Sequence, residues 1–156
     1  MQEIRNNEQG RVAGTLTIRR FRDGKEVSVH GPFHNRVVSS DGYGRNLIAR
    51  QLAGDATYAL AIDSASLGDN STAASDGQTD LLNPLVQDIP LTNASAVGSM
   101  VTVDVFIADA NLPNDTYEEF GLFCDGRMLS RVVISPAYTK VSGEDTLFAY
   151  ELNISA

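Results

Sequence analysis

The chain predicts an antiparallel β-sandwich or jelly-roll-like domain with one short helix, and three observations carry that prediction. Two pairs of alternating apolar and polar runs close on Asp-Gly dipeptides, at Asp23-Gly24 and Asp125-Gly126, the sequence form of a hairpin. Further period-two runs at 101–107 and 148–154 are separated by turn residues, which brings the total to roughly seven to nine short strands. Only one segment has helical spacing, and no fixed-period repeat suggests a solenoid.

Residues 1–11 hold Ile4 as their sizeable apolar group after Met1 and read as a polar arm, leaving 12–156 as a single domain. Val12, Gly14, Leu16 and Ile18 alternate with Ala13, Thr15, Thr17 and Arg19, and beyond the turn Val27 and Val29 alternate with Glu26, Ser28 and His30. This is a hairpin whose ladder Gly31-Pro32 is expected to break, with an extended run resuming from Phe33 to Val38. Ser39, Ser40 and Asp41 offer caps for a helix at about 43–53. In it Tyr43, Leu47, Ile48 and Leu52 form one stripe, Arg45 and Arg50 lie off it, and Gly54 supplies the stop. Residues 57–62 read as a strand, and 63–80, rich in Asp, Ser, Gly, Asn and Thr, as a long surface loop. Leu81, Leu82, Leu85, Val86 and Ile89 re-anchor the chain. The alternation of Val101, Val103, Val105 and Ile107 gives the next strand, and 109–115 a turn. A second hairpin spans 117–134, ended by Pro136. A turn at Ser142-Gly143 leads to the final strand, with Phe148, Tyr150, Leu152 and Ile154 on one face.

A chain of 156 residues suffices to bury about 70% of its extended surface in one domain. Its net charge of −8 is unevenly placed. Residues 1–50 hold nine basic and five acidic side chains; residues 51–156 hold three basic and fifteen acidic. The overall acidity argues against nucleic acid as partner, since phosphate binding needs a basic surplus on one face. No apolar run is long enough for a membrane-spanning helix, and the N-terminus has no apolar signal core, so synthesis in a cytoplasm is expected. A single cysteine, Cys124, excludes an internal disulfide and a cysteine-rich zinc site.

No residue pattern supplies catalytic chemistry. His30 and His34 stand four apart, but Gly31-Pro32 between them prevents the helix that would align them on a metal. The 69–80 loop is rich in oxygen ligands, yet it has Ala74 where a calcium loop needs glycine and Asp80 where it needs glutamate. No G-x-S-x-G elbow occurs. Cys124, at the end of an apolar strand, reads as a small buried hydrophobe. Glu118 and Glu119 point to opposite faces of a strand and cannot jointly flank a substrate, leaving one solvated and one paired carboxylate. Gly42 and Gly44 lack the lysine of a phosphate loop and read as turn formers. No cofactor or metal is expected, and the chain is not expected to be an enzyme. The arginines at 11, 19, 20, 22, 36, 45 and 50 are either a solvated face or an intersubunit surface that meets matching negative charge. The candidate interface residues are Ile4, Arg5, Arg11, Arg19, Arg20, Arg22 and Arg36.

Residues 116–136, Thr-Tyr-Glu-Glu-Phe-Gly-Leu-Phe-Cys-Asp-Gly-Arg-Met-Leu-Ser-Arg-Val-Val-Ile-Ser-Pro, resemble a pattern common in tailed-bacteriophage virion proteins. In that pattern an acidic residue and an aliphatic or aromatic one precede Gly-Leu-Phe, a short turn, and a strand bearing Leu and Arg. A lysine-containing link and a terminal strand follow, as Lys140 and 146–154 do here. Asn35-Arg36-Val37-Val38, the helix, Tyr58 to Ile62 and the Ser71 to Asp80 loop match the upstream layout, so the resemblance spans 35–154. Phe120 departs from it, standing where an aliphatic residue is commoner. The resemblance implies a structural virion protein, made in the host bacterial cytoplasm and resident in the particle. Its first expectation is a capsid decoration (cement) protein that binds the major capsid protein or other virion subunits and self-associates, a trimer suiting threefold lattice positions. The alternative is a tail, neck, baseplate or fibre component that binds host glycan through the 63–80 loop and Tyr58 or Tyr117.

Overall fold

Alternation at the start of the chain builds β1 (Arg11–Arg22) and β2 (Lys25–Val37), which join through Asp23 and Gly24, both at positive φ as a two-residue hairpin turn requires. In this computed structural model residues 11–155 are described; Ile4 and Arg5 lie outside them. Arg11, grouped with the arm by its polarity, is the first residue of β1 and pairs with Ser155. There follow β3 (Ser39–Ser40), β4 (Tyr43–Gly44), α1 (Arg45–Leu52), β5 (Ser64–Gly68), β6 (Pro84–Pro90), β7 (Asn93–Val97) and β8 (Met100–Ile107). After a 3-10 turn at Asp109–Asn111 come β9 (Thr116–Cys124), β10 (Arg127–Thr139) and β11 (Asp145–Ser155).

Nine strands form one antiparallel order, β6-β5-β9-β10-β2-β1-β11-β8-β7, which curls into two packed layers. The hinge is β2. Its residues up to His34 pair with β1, whereas Asn35, Arg36 and Val37 pair with β10. One layer is therefore β2-β1-β11-β8-β7 and the other β6-β5-β9-β10-β2. Their inner faces meet in an aromatic contact: Phe120 of β9 stacks on Phe148 of β11, with ring centroids 5.5 Å apart. Leu16, Ile18, Val103, Val105, Leu122, Val132 and Tyr150 fill the same space and are fully buried, each stabilising the fold by about 1.5–3 kcal/mol. The all-β sandwich class is thus as the periodicity dictates.

Several elements differ from the sequence expectation, each for a local reason. The ladder does not break at Gly31-Pro32. Leu16 pairs with Phe33 and Ile18 with His30, so Gly31 and Pro32 bulge opposite Thr17 and the proline's missing N–H falls where no ladder bond is required. Pro136 likewise lies in the register break between Val133 and Tyr138, and β10 continues to Thr139. Residues 57–62 are not a strand. Tyr58, Leu60 and Ile62 do alternate inward, but among the described residues no strand pairs with them, and the strand falls on 64–68 instead. That strand, Ser-Ala-Ser-Leu-Gly, is buried on both faces within the stretch that composition assigns to surface loop. The helix starts at Arg45 with Gly44 before it and no side-chain cap; Ser39 and Ser40 instead pair with Gly44 and Tyr43. Leu47 faces the core, whereas Leu52 is 84% exposed. Gly54, at φ 81°, ends the helix as expected. Val27 and Val29 face outward at about half exposure, because Ile18 on the inner face pairs with His30 and so turns the even-numbered residues of β2 inward there.

Candidate docking surface

The arginines of the basic first third do not form one continuous face. Arg19 and Arg20, adjacent on β1, point to opposite sides. Arg19 Nη1 donates to Glu26 Oε1 at 2.8 Å across the hairpin. Arg20 and Arg22 share a single carboxylate: Arg20 Nε lies 2.8 Å from Glu144 Oε2 and Arg22 Nη2 donates to Glu144 Oε1 at 3.1 Å. Arg20 also stands over the Tyr138 ring, 4.9 Å from its centroid, beside His30. Partial burial, and after it the charge of Arg20, hold the His30 pKa below its ordinary value.

A second cluster gathers where β1, β2 and α1 converge. Arg36 Nε donates to Asp76 Oδ1 at 2.8 Å, and Arg45 Nη2 lies 2.9 Å from Asp76 Oδ2. The hydrogen bond from Arg36, with the charges of both arginines behind it, holds the Asp76 carboxyl below the usual carboxylate range. Arg11 and His34 line the same open groove, whose volume is about 590 Å³. Two arginines thus share one carboxylate, with Arg11 and His34 lining the groove around them, and the side chains of Arg36 and Arg45 remain half exposed. Of the arginines that the sequence singles out, the fold brings Arg11 and Arg36 together here, places Arg20 and Arg22 at Glu144, and sets Arg19 apart. Arg45, which helical spacing sets off the apolar stripe, joins Arg11 and Arg36, although it is not among the candidate interface residues. Arg50, also on the helix, is paired with Asp41 and Asp55.

The sequence split between a positive first third and a negative remainder is therefore partly closed inside the fold. Glu144 and Asp76, both from the acidic part, take two arginines each. What stays on the surface is the surplus guanidinium of each three-member cluster.

The 69–83 loop that follows β5 is pinned from beneath. Arg131, fully buried on β10, donates to the carbonyls of Thr72 at 2.6 Å and Asn70 at 2.9 Å, while its Nε donates to Glu119 Oε2 at 2.8 Å. Glu119 in turn accepts from the Leu82 and Asn83 amides. Gly68 makes room for this carboxylate, since a Cβ there would overlap Glu119 Oε1. Glu119 is thus the paired member of Glu118-Glu119, as strand alternation requires. Lys140, equally buried, ties down the 109–115 turn by donating to Asp109 Oδ1 at 2.5 Å and Asn114 Oδ1 at 3.2 Å.

The glycan-anchor residues fare differently. Tyr117 is fully buried and donates to the Pro113 carbonyl at 2.8 Å, so it presents no surface to a sugar. Tyr58 is sandwiched against Arg127, whose guanidinium lies 4.2 Å from its ring centroid and bonds its hydroxyl. Among the described residues no cluster of three or more His, Cys, Asp or Glu side chains is set to hold a metal ion, and no helix is long and apolar enough to cross a membrane. An apolar cleft of about 330 Å³ opens between the layers beside α1, with Ile48, Leu60, Ile62, Cys124, Leu152 and Ile154 in its walls.

No family model matches the chain, and neither a curated protein nor a solved structure matches it.

Proposed function

We propose that the chain is a structural protein of a tailed-bacteriophage virion, a decoration protein that docks on the capsid lattice through the groove of Arg11, Arg36 and Arg45. The observation that carries this reading is the convergence of Arg36 and Arg45 on the single carboxylate of Asp76, with Arg11 lining the same groove, in a chain of net charge −8. A positive site on an otherwise acidic molecule orients it toward an acidic surface, since the rest of the surface repels the same partner. The residue pattern shared with virion proteins supports the reading from another side. Its acidic residue, its Gly-Leu-Phe and its arginine, here Glu119, Gly121-Leu122-Phe123 and Arg131, fall on one hairpin, where Glu119 and Arg131 together hold the 69–83 loop. A pattern with so definite a packing role belongs to a scaffold that presents loops and edges to neighbours.

Cryo-electron microscopy of the intact particle tests the location. Density for this chain on the head shell is expected, and density at the tail or neck with none on the head overturns the decoration reading. Reversing the groove charge with Arg36→Glu and Arg45→Glu tests the docking residues. Shell binding is expected to fall at least tenfold, and unchanged binding by the folded variant removes the groove from the interface.

A further inference from the structure

Among the described residues the strand order has two ends, and the sequence treats them differently. At one end β6 begins at Pro84 and finishes at Pro90, neither of which brings an N–H. Between them Gln87 and Asp88 bulge opposite Ser66, and Asp88, at φ 55°, sets a charge on that edge. Proline, bulge and charge are the devices that stop a sheet edge from pairing with another chain. β7, at the other end, carries none of them. Its residues Asn-Ala-Ser-Ala-Val are all exposed, and the sequence from Ile89 to Val103 holds no ionisable side chain.

The phase of this edge follows from its turn. Gly98, at φ 58°, and Ser99 join Val97 to Met100, which pair directly. Ladder alternation then directs the backbone groups of Ser95 toward β8 and those of Ala94 and Ala96 outward. The Ile154 amide, donating to the Ser99 carbonyl at 2.8 Å, fixes the same phase from the other side of β8.

We propose that β7 is a self-association edge on which two copies of the chain pair antiparallel about a two-fold axis through Ser95. In that register Ala94 of one copy exchanges both hydrogen bonds with Ala96 of the other, and the reverse, giving four bonds in all. Ser95 faces Ser95, and Asn93 faces Val97, whose 75% exposure is reduced by the contact. The two five-stranded layers become one of ten strands. A second copy is the occupant that the charge distribution selects. Two molecules of net charge −8 repel over most of their surface, but along this uncharged run they approach without opposing ionised groups. A strongly charged partner finds no countercharge here. Small side chains and an isologous antiparallel register make the edge complementary to itself. With only five residues a side the contact is at the small end of specific interfaces, so the dimer is concentration-dependent. This pairing holds wherever the chain sits in a particle.

Sedimentation velocity of the full chain over a concentration series, with three variants, tests the proposal. The parent is expected to shift toward the mass of two chains as concentration rises. Ala96→Pro removes an outward N–H and leaves the β8 ladder intact, and Ser95→Lys places two cations face to face; both are expected to remain at the mass of one chain with unchanged circular dichroism. Ser95→Cys is expected to cross-link into a covalent dimer on mild oxidation, because directly opposed residues at a non-hydrogen-bonded position stand about 4.5 Å apart, within disulfide reach. A parent that stays monomeric at every concentration overturns the proposal, as does an oligomer that Ala96→Pro and Ser95→Lys leave unchanged. Should Ala96→Pro unfold, Ser95→Lys and Ser95→Cys decide, since their side chains point to solvent.

Discussion

Arg131 and Glu119 form an ion pair at 2.8 Å with both side chains wholly removed from solvent. The pair is hydrogen-bonded on every side by backbone of the 69–83 loop, so its charges are compensated by the segment they hold. Breaking such a pair from one side leaves an uncompensated buried charge, at a cost of about 3–5 kcal/mol. Arg131→Met is expected to lose stability on that scale in denaturant melts and to open the 69–83 loop to limited proteolysis. Adding Glu119→Gln should recover part of the loss, so the double variant falls short of the sum of the singles.

Gly44 tests backbone rather than charge. It sits at φ 56°, and a Cβ there would overlap the Val38 carbonyl oxygen, which already accepts from the Arg45 amide. Gly44→Ala is expected to cost about 2 kcal/mol or more, because strain and overlap with backbone add. Gly54→Ala, also at positive φ but in open space, should cost about 1 kcal/mol. Equal losses in parallel thermal melts would show that overlap with Val38 is relieved.

Acid should weaken the fold through its paired aspartates. Asp55 is held below the usual carboxylate range by hydrogen bonds from Thr57, Asp76 by Arg36, and Asp109 by Lys140. A carboxyl whose folded pKa lies below its unfolded one contributes stability that is complete above the ordinary carboxylate range and lost as pH falls through the folded value. Asp109→Asn is therefore expected to be less stable than the parent at neutral pH, with the gap closing on acidification. Denaturation curves from neutral pH down to about pH 2 read this directly.

Cys124 should be silent in the native protein. Burial, followed by the charges of Asp63 and Asp125, pushes its thiol up to about 12. Thiol–disulfide exchange with an aromatic disulfide reagent is expected to run roughly a thousandfold slower than for a free cysteine, and to release one equivalent at once in denaturant.

How far the sequence reaches is clear from particular residues. Val101 to Ile107 and Phe148 to Ile154 are legible because each strand has one face in the core and one toward solvent, which is what period two records. The two Asp-Gly turns are legible because both residues tolerate positive φ. β5 is not, since all its residues but Leu67 are small, Gly68 so that Glu119 fits beside it, and smallness looks like loop composition. β7 escapes for the opposite reason: it buries nothing, so no alternation marks it. Prolines 32 and 136 look like stops in the sequence because a bulge, which removes the need for their N–H, is set by the partner strand. In the docking groove, the arginines can be counted from the sequence, but their convergence on Asp76 depends on a loop forty residues beyond Arg36.

The dual pairing of β2 gives the molecule a mechanical property. Its backbone runs unbroken from one layer into the other, so a pull on the hairpin tip near Lys25 reaches both layers along covalent bonds and ladder hydrogen bonds. The layers cannot slide past each other without shearing the Asn35–Val37 pairing to β10 or the pairing to β1. Tension that would peel apart two separate sheets is converted here into shear on antiparallel ladders, which must lose many hydrogen bonds together before anything yields.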